Sequence, residues 1–444
     1  MLAFDELRAD VESGAIETVV VALVDMHGRL VGKRVTGRYF VEHAEQGFDL
    51  CNSLLTLDIE SDTTPGYAIA SIDLGYGDFL LRPDLGSLRR IPWHEATALV
   101  LCDPCWFDGT PVEQSPRRIL ARQLERARAL GFEPRMSSEL EFFLLRESYA
   151  QAHASGYTNL TPSSRYVTDA HLLAPGFDEP FIRQLRKGME AAGIPVEASK
   201  AEAWPGQHEL TFRYGEPVTS ADHHVVFKHG AKEIAEQNGC SVTFMAKPDH
   251  RWIGSSCHVQ ASLWQEGRNA FEGETELCRR FLAGQLAGIR ELAIFVAPNV
   301  NSYKRFVGAG TWAGNTITWA HDNRTTGFRV VGRGSSFRVE ARIPGADCNP
   351  YLAYAALLAA GLDGIERELP LPPPYEGNAY AATEVERFPL TLREAIRALE
   401  TGTLARAAFG DAVVDHYLNH ARAEQRLFDR AVTDYERERM FERG

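Results

Sequence analysis

The sequence predicts an α+β fold, on three observations. Strand-like and helix-like segments are intermixed without the regular βα rhythm of a doubly wound parallel sheet. A β-branched run followed by a turn and a second extended run marks a hairpin near the N-terminus. Several later strand-like segments alternate apolar with charged residues at period two, which places the two kinds on opposite faces.

Taken in order, residues 17–25 (ETVVVALVD) read as a strand, Met26-His27-Gly28-Arg29 as a turn and Leu30–Val35 as the returning strand. Short strands are expected at Phe79–Leu81 and Ala96–Cys102, with 49–92 mostly loop-like because of its Gly and Pro content. Residues 1–108 therefore read as a small β-rich domain. A helix follows, with Ser115 as N-cap, Pro116 at the first position and Gly131 beyond the end. Ile119, Leu120, Leu124, Ala127 and Leu130 form its apolar stripe. Further helices are expected at 179–192, 219–237, 275–295, 349–364 and 391–400, and one charged helix at 411–440. Strands are expected at 139–145, 208–214, 241–246, 257–264, 325–331 and 336–343.

Composition narrows the function classes. The chain has 444 residues, with 47 Lys+Arg against 60 Asp+Glu, a net charge of −13. Hydrophobic residues at 44% and charged residues at 24% are a globular balance, not a disordered one. The acidic total argues against nucleic-acid binding, which needs a basic footprint. No apolar run is long enough to cross a membrane. The seven scattered cysteines and the charged N-terminus read as reduced thiols in a cytoplasmic protein. Cys102 and Cys105 form a lone CxxC with no second pair to complete a zinc site.

The chemistry is expected in the alternating segments. In 139–145, Glu139 and Glu141 share one face, while Leu140, Phe142 and Leu144 take the other. Two carboxylates on an otherwise apolar strand are costly unless neutralised, and a divalent cation is one solution beside a solvent-facing edge. In 257–264, His258, Gln260, Ser262 and Trp264 oppose Cys257, Val259, Ala261 and Leu263. A lone His there fits a structural histidine as well as a ligand. In 337–343, Arg338, Glu340 and Arg342 share a face, with Arg324 and Arg329 upstream, which fits a salt-bridge network or a polyphosphate site. Glu202-Ala203-Trp204-Pro205-Gly206-Gln207-His208-Glu209 brackets a Gly/Pro turn with two acids. Together these offer five carboxylates and one imidazole, an oxygen-rich set that suits Mg²⁺ or Mn²⁺ better than zinc. Such ions beside arginines make a phosphoryl-transfer site. Gly28 to Lys33 is not a P-loop, since three residues separate its glycines and no Ser or Thr follows the Lys.

At this point a family resemblance emerges. LRPDLGSLRRIPW from Leu81, Met136–Leu145, AWPGQHELTFRYG from Ala203, SVTFMAKP from Ser241, GSSCHVQASLW from Gly254, NSYKRFV from Asn301, NRTTGFR from Asn323, FRVEARIP from Phe337 and NPYLAYAALLAAGLDGI from Asn349 resemble the bacterial glutamine synthetase family over nearly the whole chain. The resemblance implies a β-grasp-like domain over 1–108 and a catalytic domain over 109–444 whose antiparallel strands line the active site. It also implies a homo-oligomer, a dodecamer of two stacked hexameric rings, with sites between neighbouring subunits. Carried over by motif, Glu141, Glu202 and Glu209 would hold a metal on the glutamate side. Glu139, His258 and Glu340 would hold one bridging the ATP phosphates. Arg305 would grip the substrate α-carboxylate, with the Gly254 backbone at its amino group. Arg324, Arg329, Arg338 and Arg342 would surround the transferred phosphate, and Glu197, Tyr214 and Ser262 the nucleotide. The implied reaction activates the γ-carboxylate of L-glutamate with ATP, and an amine then displaces phosphate.

Departures from the family pattern point to the amine. Ammonia-using members carry a Glu on a flap after SYKR, and Thr311 stands at that place here. A hydroxyl neither attracts ammonium by charge nor acts as a base near neutral pH. A second ammonium-site acid survives as Asp49, with altered neighbours Leu50-Cys51-Asn52. The expected substrate is a primary amine, a short one such as ethanolamine ahead of a polyamine, with Asp49 holding or deprotonating it. The alternatives are an ordinary ammonia-using glutamine synthetase and a non-enzymatic ring protein. Ile253, Gln260 and Lys200-Ala201 also depart from the pattern, and Tyr380 lies where some members are modified, in different surroundings.

Overall fold

A computed structural model describes residues 1–173, 175–307 and 312–444, so the expectation at Thr311 lies outside the described residues. Among the described residues fifteen strands form two sheets. The first holds β1 (Thr18–Val24), β2 (Leu30–Thr36), β3 (Phe48–Cys51), β4 (Asp78–Pro83), β5 (Arg89–Arg90) and β6 (Thr97–Cys105). Its order is β2-β1-β6-β4-β3 with β5 on β6, and only β1 and β6 run parallel. The second holds β7 (Glu133–Leu145), β8 (Val196–Ala201), β9 (Gln207–Phe212), β10 (Ser241–Thr243), β11 (Cys257–Gln265), β12 (Arg268–Asn269), β13 (Trp319–His321), β14 (Phe328–Val331) and β15 (Arg338–Ala341). Its order is β13-β14-β15-β11-β7-β9-β8, with β10 on β7 and β12 on β11. All its pairings are antiparallel except β13 with β14. This is the α+β architecture expected.

Burial explains the two strand types. In β1, Val19, Val21 and Leu23 enter a small core with Leu7, Phe40 and Phe79, while Ala22 and Val24 enter the large core. Covered on both faces, β1 reads as a continuous apolar run. The second sheet is one-sided. Leu140, Phe142, Val259, Leu210 and Val339 lie in the large core with Phe227 of the helix Pro217–Gln237 and Tyr354 of the helix Pro350–Glu366. Its polar residues are thereby left on the opposite face.

Several expectations are corrected. The helix at 275–295 is two helices, Glu276–Gly288 and Ala293–Val296. The charged helix at 411–440 stops at Arg430 and resumes at Asp434–Met440, where Thr433 supplies a capping box. Besides the expected strand at β4, residues 49–92 carry β5 and part of β3, pieces too short to show a pattern of their own. Ser115 occupies the N-cap but its hydroxyl makes no capping bond. Arg117, two residues on, is buried and binds Asp84 and, at 2.8 and 3.1 Å, Asp103 and Asp222, fastening the first sheet to the helix Pro217–Gln237. Among the described residues no helix is long and apolar enough to cross a membrane.

Candidate active site

Strand register assembles the site. Opposite His258 on β11 stands Glu139 on β7, and opposite Glu141 stands Glu209 on β9. Gln260 faces Glu340 on β15, which in turn faces Arg329 on β14. Directly paired residues share a sheet face, so period-two alternation on several strands converges on one polar surface.

Two ligand groups result. Glu139, His258 and Glu340 offer donor atoms within 4.8 Å of one another, and so do Glu141, Glu209 and His258. His258 Nδ1 lies 3.3 Å from Glu139 and 3.5 Å from Glu340. Burial, followed by the Arg342 charge, holds the His258 imidazolium well below its usual range, so the ring is neutral and able to coordinate. Glu202, expected beside Glu141 and Glu209, is tied to Lys200 Nζ at 2.5 Å and is not within the 4.8 Å spacing of either group. It still borders the same cavity, and its charge is felt at Glu141.

The carboxylates are under-neutralised. Burial and then Glu139 push the Glu209 carboxyl up to about 8, and burial with Glu202 and Glu209 pushes Glu141 well above the carboxylate range. An oxygen-rich set with one neutral imidazole and surplus negative charge fits a hard divalent cation. The sign of the pH effect follows. Between the ordinary value of 4.5 and about 8, the native state binds a proton at Glu209 that the unfolded chain has released. Without cation, stability therefore falls as pH rises through that window. Added Mg²⁺ is expected to raise the melting temperature more at pH 8 than at pH 5; a shift equal at both would contradict the assignment.

Arginines ring the acids. Arg329 and Arg342 bind opposite oxygens of Glu340 at 3.0 and 2.7 Å. Gln260 joins Glu139 (2.9 Å) to Arg338 (2.8 Å). Arg305 is buried, and donates to Ser256 Oγ at 2.7 Å and to the Ile343 carbonyl. The Nε atoms of Arg305 and Arg342 are buried without a hydrogen-bond partner among the described residues. Gly254 packs on Arg305: a Cβ there would lie 2.2 Å from Arg305 Cγ and 2.8 Å from the Ala246 carbonyl oxygen. Gly254→Ala is expected to displace Arg305 and raise KM for the amino-acid substrate by about 10–100-fold, with KM for the nucleotide unchanged in steady-state kinetics.

A cavity of about 1020 Å³ gathers Glu139, Glu141, Glu202, Glu209, Gly254, His258, Arg305, Arg324, Arg329, Arg338 and Arg342. Glu340 sits beneath it, 1% exposed. Glu197, Tyr214 and Ser262 border a second cavity of about 160 Å³ that shares Glu139 and Arg338 with the first. Its Tyr214 ring stacks on Trp264 at 6.2 Å. Asp49 is not brought to either cavity within one chain; it is exposed on β3, the terminal strand of its sheet. Tyr380, noted above only for its place where some members are modified, and Trp312 both line the main cavity. The Tyr380 hydroxyl bonds the carbonyl oxygens of Trp312 (2.8 Å) and Arg324 (3.2 Å), tying the segment after residue 311 to the arginine loop.

The fold and this site define a class: enzymes that bring a carboxylate and a polyphosphate together over acid-held cations. The glutamine synthetase catalytic-domain family matches residues 113–440, and the chain belongs to the glutamine synthetase family. It is 50% identical to a γ-glutamylethanolamide synthetase, GlnA4, of Streptomyces coelicolor, across 100% of this chain and 96% of that one. It is 38% identical to a glutamate–isopropylamine ligase of a Pseudomonas species, across 93% and 92% of the two chains. A solved complex of GmaS with ADP superposes with a TM-score of 0.86 at 29% identity, covering 98% of this chain and 99% of that one.

Proposed function

We propose that the protein is an ATP-dependent ligase that joins the γ-carboxylate of L-glutamate to a primary amine, ethanolamine foremost, giving a γ-glutamylamide, ADP and phosphate. The observation that carries the reading is the pair of ligand groups sharing His258 beneath a ring of arginines. The 50% identity to a γ-glutamylethanolamide synthetase and the Thr at position 311 favour a primary amine over ammonia.

In this reading Glu139, His258 and Glu340 would hold one Mg²⁺ or Mn²⁺, and Glu141 and Glu209, with Glu202 beside them, a second. Bound cations supply positive charge that screens a carboxylate from a polyphosphate. Arg305 orients glutamate through its α-carboxylate. The nucleotide lies along Glu197, Tyr214 and Ser262, which places its phosphates toward the shared residues Glu139 and Arg338. A γ-carboxylate oxygen attacks the γ-phosphorus and the bond to ADP breaks, leaving γ-glutamyl phosphate. Arg324, Arg329, Arg338 and Arg342 neutralise the charge spread over the transferred oxygens. The amine nitrogen then attacks the acyl carbon, phosphate leaves, and the ammonium proton passes to a base. Asp49 of a neighbouring subunit serves as that base in a dodecamer of two hexameric rings. The two-domain division at 108/109 and a cytoplasmic setting complete the reading. Incubation with ATP, glutamate, ethanolamine and Mg²⁺ is expected to yield γ-glutamylethanolamide by mass spectrometry. ATP turnover without any γ-glutamylamide across an amine panel would overturn the assignment.

A further inference from the structure

A cavity of about 550 Å³ opens between the β1–β2 turn, the helix Pro217–Gln237 and the segment 298–301, and none of its lining residues borders the catalytic cavity. Lys228 and Lys232 line it from one helix face, one turn apart. Like charges at that spacing repel. Neither lysine has a carboxylate within ion-pair distance among the described residues. Lys228 donates to the carbonyl oxygen of Ala346 at 3.0 Å and lies 5.5 Å from the Phe244 ring. The neighbouring cations are committed elsewhere. Arg29 binds Asp25 at 2.7 Å and the Ile59 carbonyl oxygen at 2.6 Å, and His229 lies 3.2 Å from Glu233. The acids on the rim are not within ion-pair distance of the lysines: Asp347 accepts from Asn299 and Ser302 on one oxygen and keeps the other unpartnered among the described residues, and Glu424 pairs with neither lysine.

We propose that this cavity is a second ligand site, binding a small oxyanion, a carboxylate or a phosphate, through the ammonium groups of Lys228 and Lys232. Its size suits a small molecule. Val225, Phe244 and Pro298 give it apolar walls, which strengthen a charge pair relative to water. The state of Lys232 agrees. Lys232 is exposed by surface area, yet the protein packed around its ammonium, followed by the Lys228 and Arg29 charges, pulls it down to about 8. A bound anion would remove this penalty.

Competitive acetylation of the full-length enzyme at pH 8 tests the site, because an amine of lowered basicity is labelled ahead of ordinary lysines. Succinate and inorganic phosphate are the probes, with sodium chloride at matched ionic strength as control. The Lys232 peptide is read by mass spectrometry, so anions held by the catalytic arginines do not enter the signal. A saturating oxyanion is expected to slow labelling of Lys232 about tenfold. Protection by succinate alone assigns a carboxylate ligand, by phosphate alone a phosphoryl ligand, and by both a general oxyanion site. Lys228→Met is expected to abolish the protection while Lys232 stays labelled and turnover at saturating substrates is unchanged. Labelling that neither probe slows, or that sodium chloride slows equally, would overturn the proposal.

Discussion

Glu340→Ala is expected to lower kcat/KM by about 10³-fold or more in ATP-dependent phosphate release, because it removes several functions at once. Its carboxylate is 1% exposed, receives Arg329 and Arg342 on separate oxygens and lies 3.5 Å from His258. Truncation leaves two guanidiniums without their shared acceptor. A buried charge deprived of its partner is destabilising by about 3–5 kcal/mol, so the arginines rotate toward other acids or toward substrate. It also cuts one ligand group to Glu139 and His258. Glu340→Gln separates these effects. It keeps the volume and one acceptor for an arginine but loses the charge, so folding should be preserved while the Mg²⁺ concentration for half-maximal rate rises steeply. Wild-type activity in Glu340→Ala would refute the role given to this carboxylate.

The sheet face was legible from period two alone: each strand declared which of its residues sit together, and Glu139 with Glu141, and Arg338 with Glu340, could be read without a structure. Which strand pairs with which, and in what register, is tertiary information. Register is what sets Glu139 against His258 across 119 residues of chain and Gln260 against Glu340. Glu202 lies outside this register. Residue 202 follows the end of β8 and meets Lys200 before it meets Glu141 or Glu209. Trp312 and Tyr380 carry no periodic signal, since both come from irregular segments that meet in three dimensions, in part through the Tyr380 hydroxyl. The broken helices were missed for a related reason. Apolar and charged residues continue through Gly288 and Arg430, so pattern alone does not reveal where the backbone turns.

Ethanolamine is expected to be used with a kcat/KM about 10²–10³-fold above that for ammonia, the second large effect, and the charge at position 311 is the reason. Ammonium is small and has no apolar surface, so an enzyme that captures it relies on carboxylates to attract the cation and take its proton. Here one expected acid is a threonine, and Asp49 alone remains of the two. Ethanolamine compensates through two methylenes and a hydroxyl, groups that ammonia lacks. One methylene in an apolar pocket is worth about 10–200-fold in discrimination. Thr311→Glu should restore the missing charge, raising ammonia-dependent phosphate release about tenfold and depressing ethanolamine use. A wild-type enzyme that prefers ammonia to every primary amine tested would sink the specialised reading. It would leave the metal and arginine assignments standing, because those residues act on glutamate and ATP before any amine arrives.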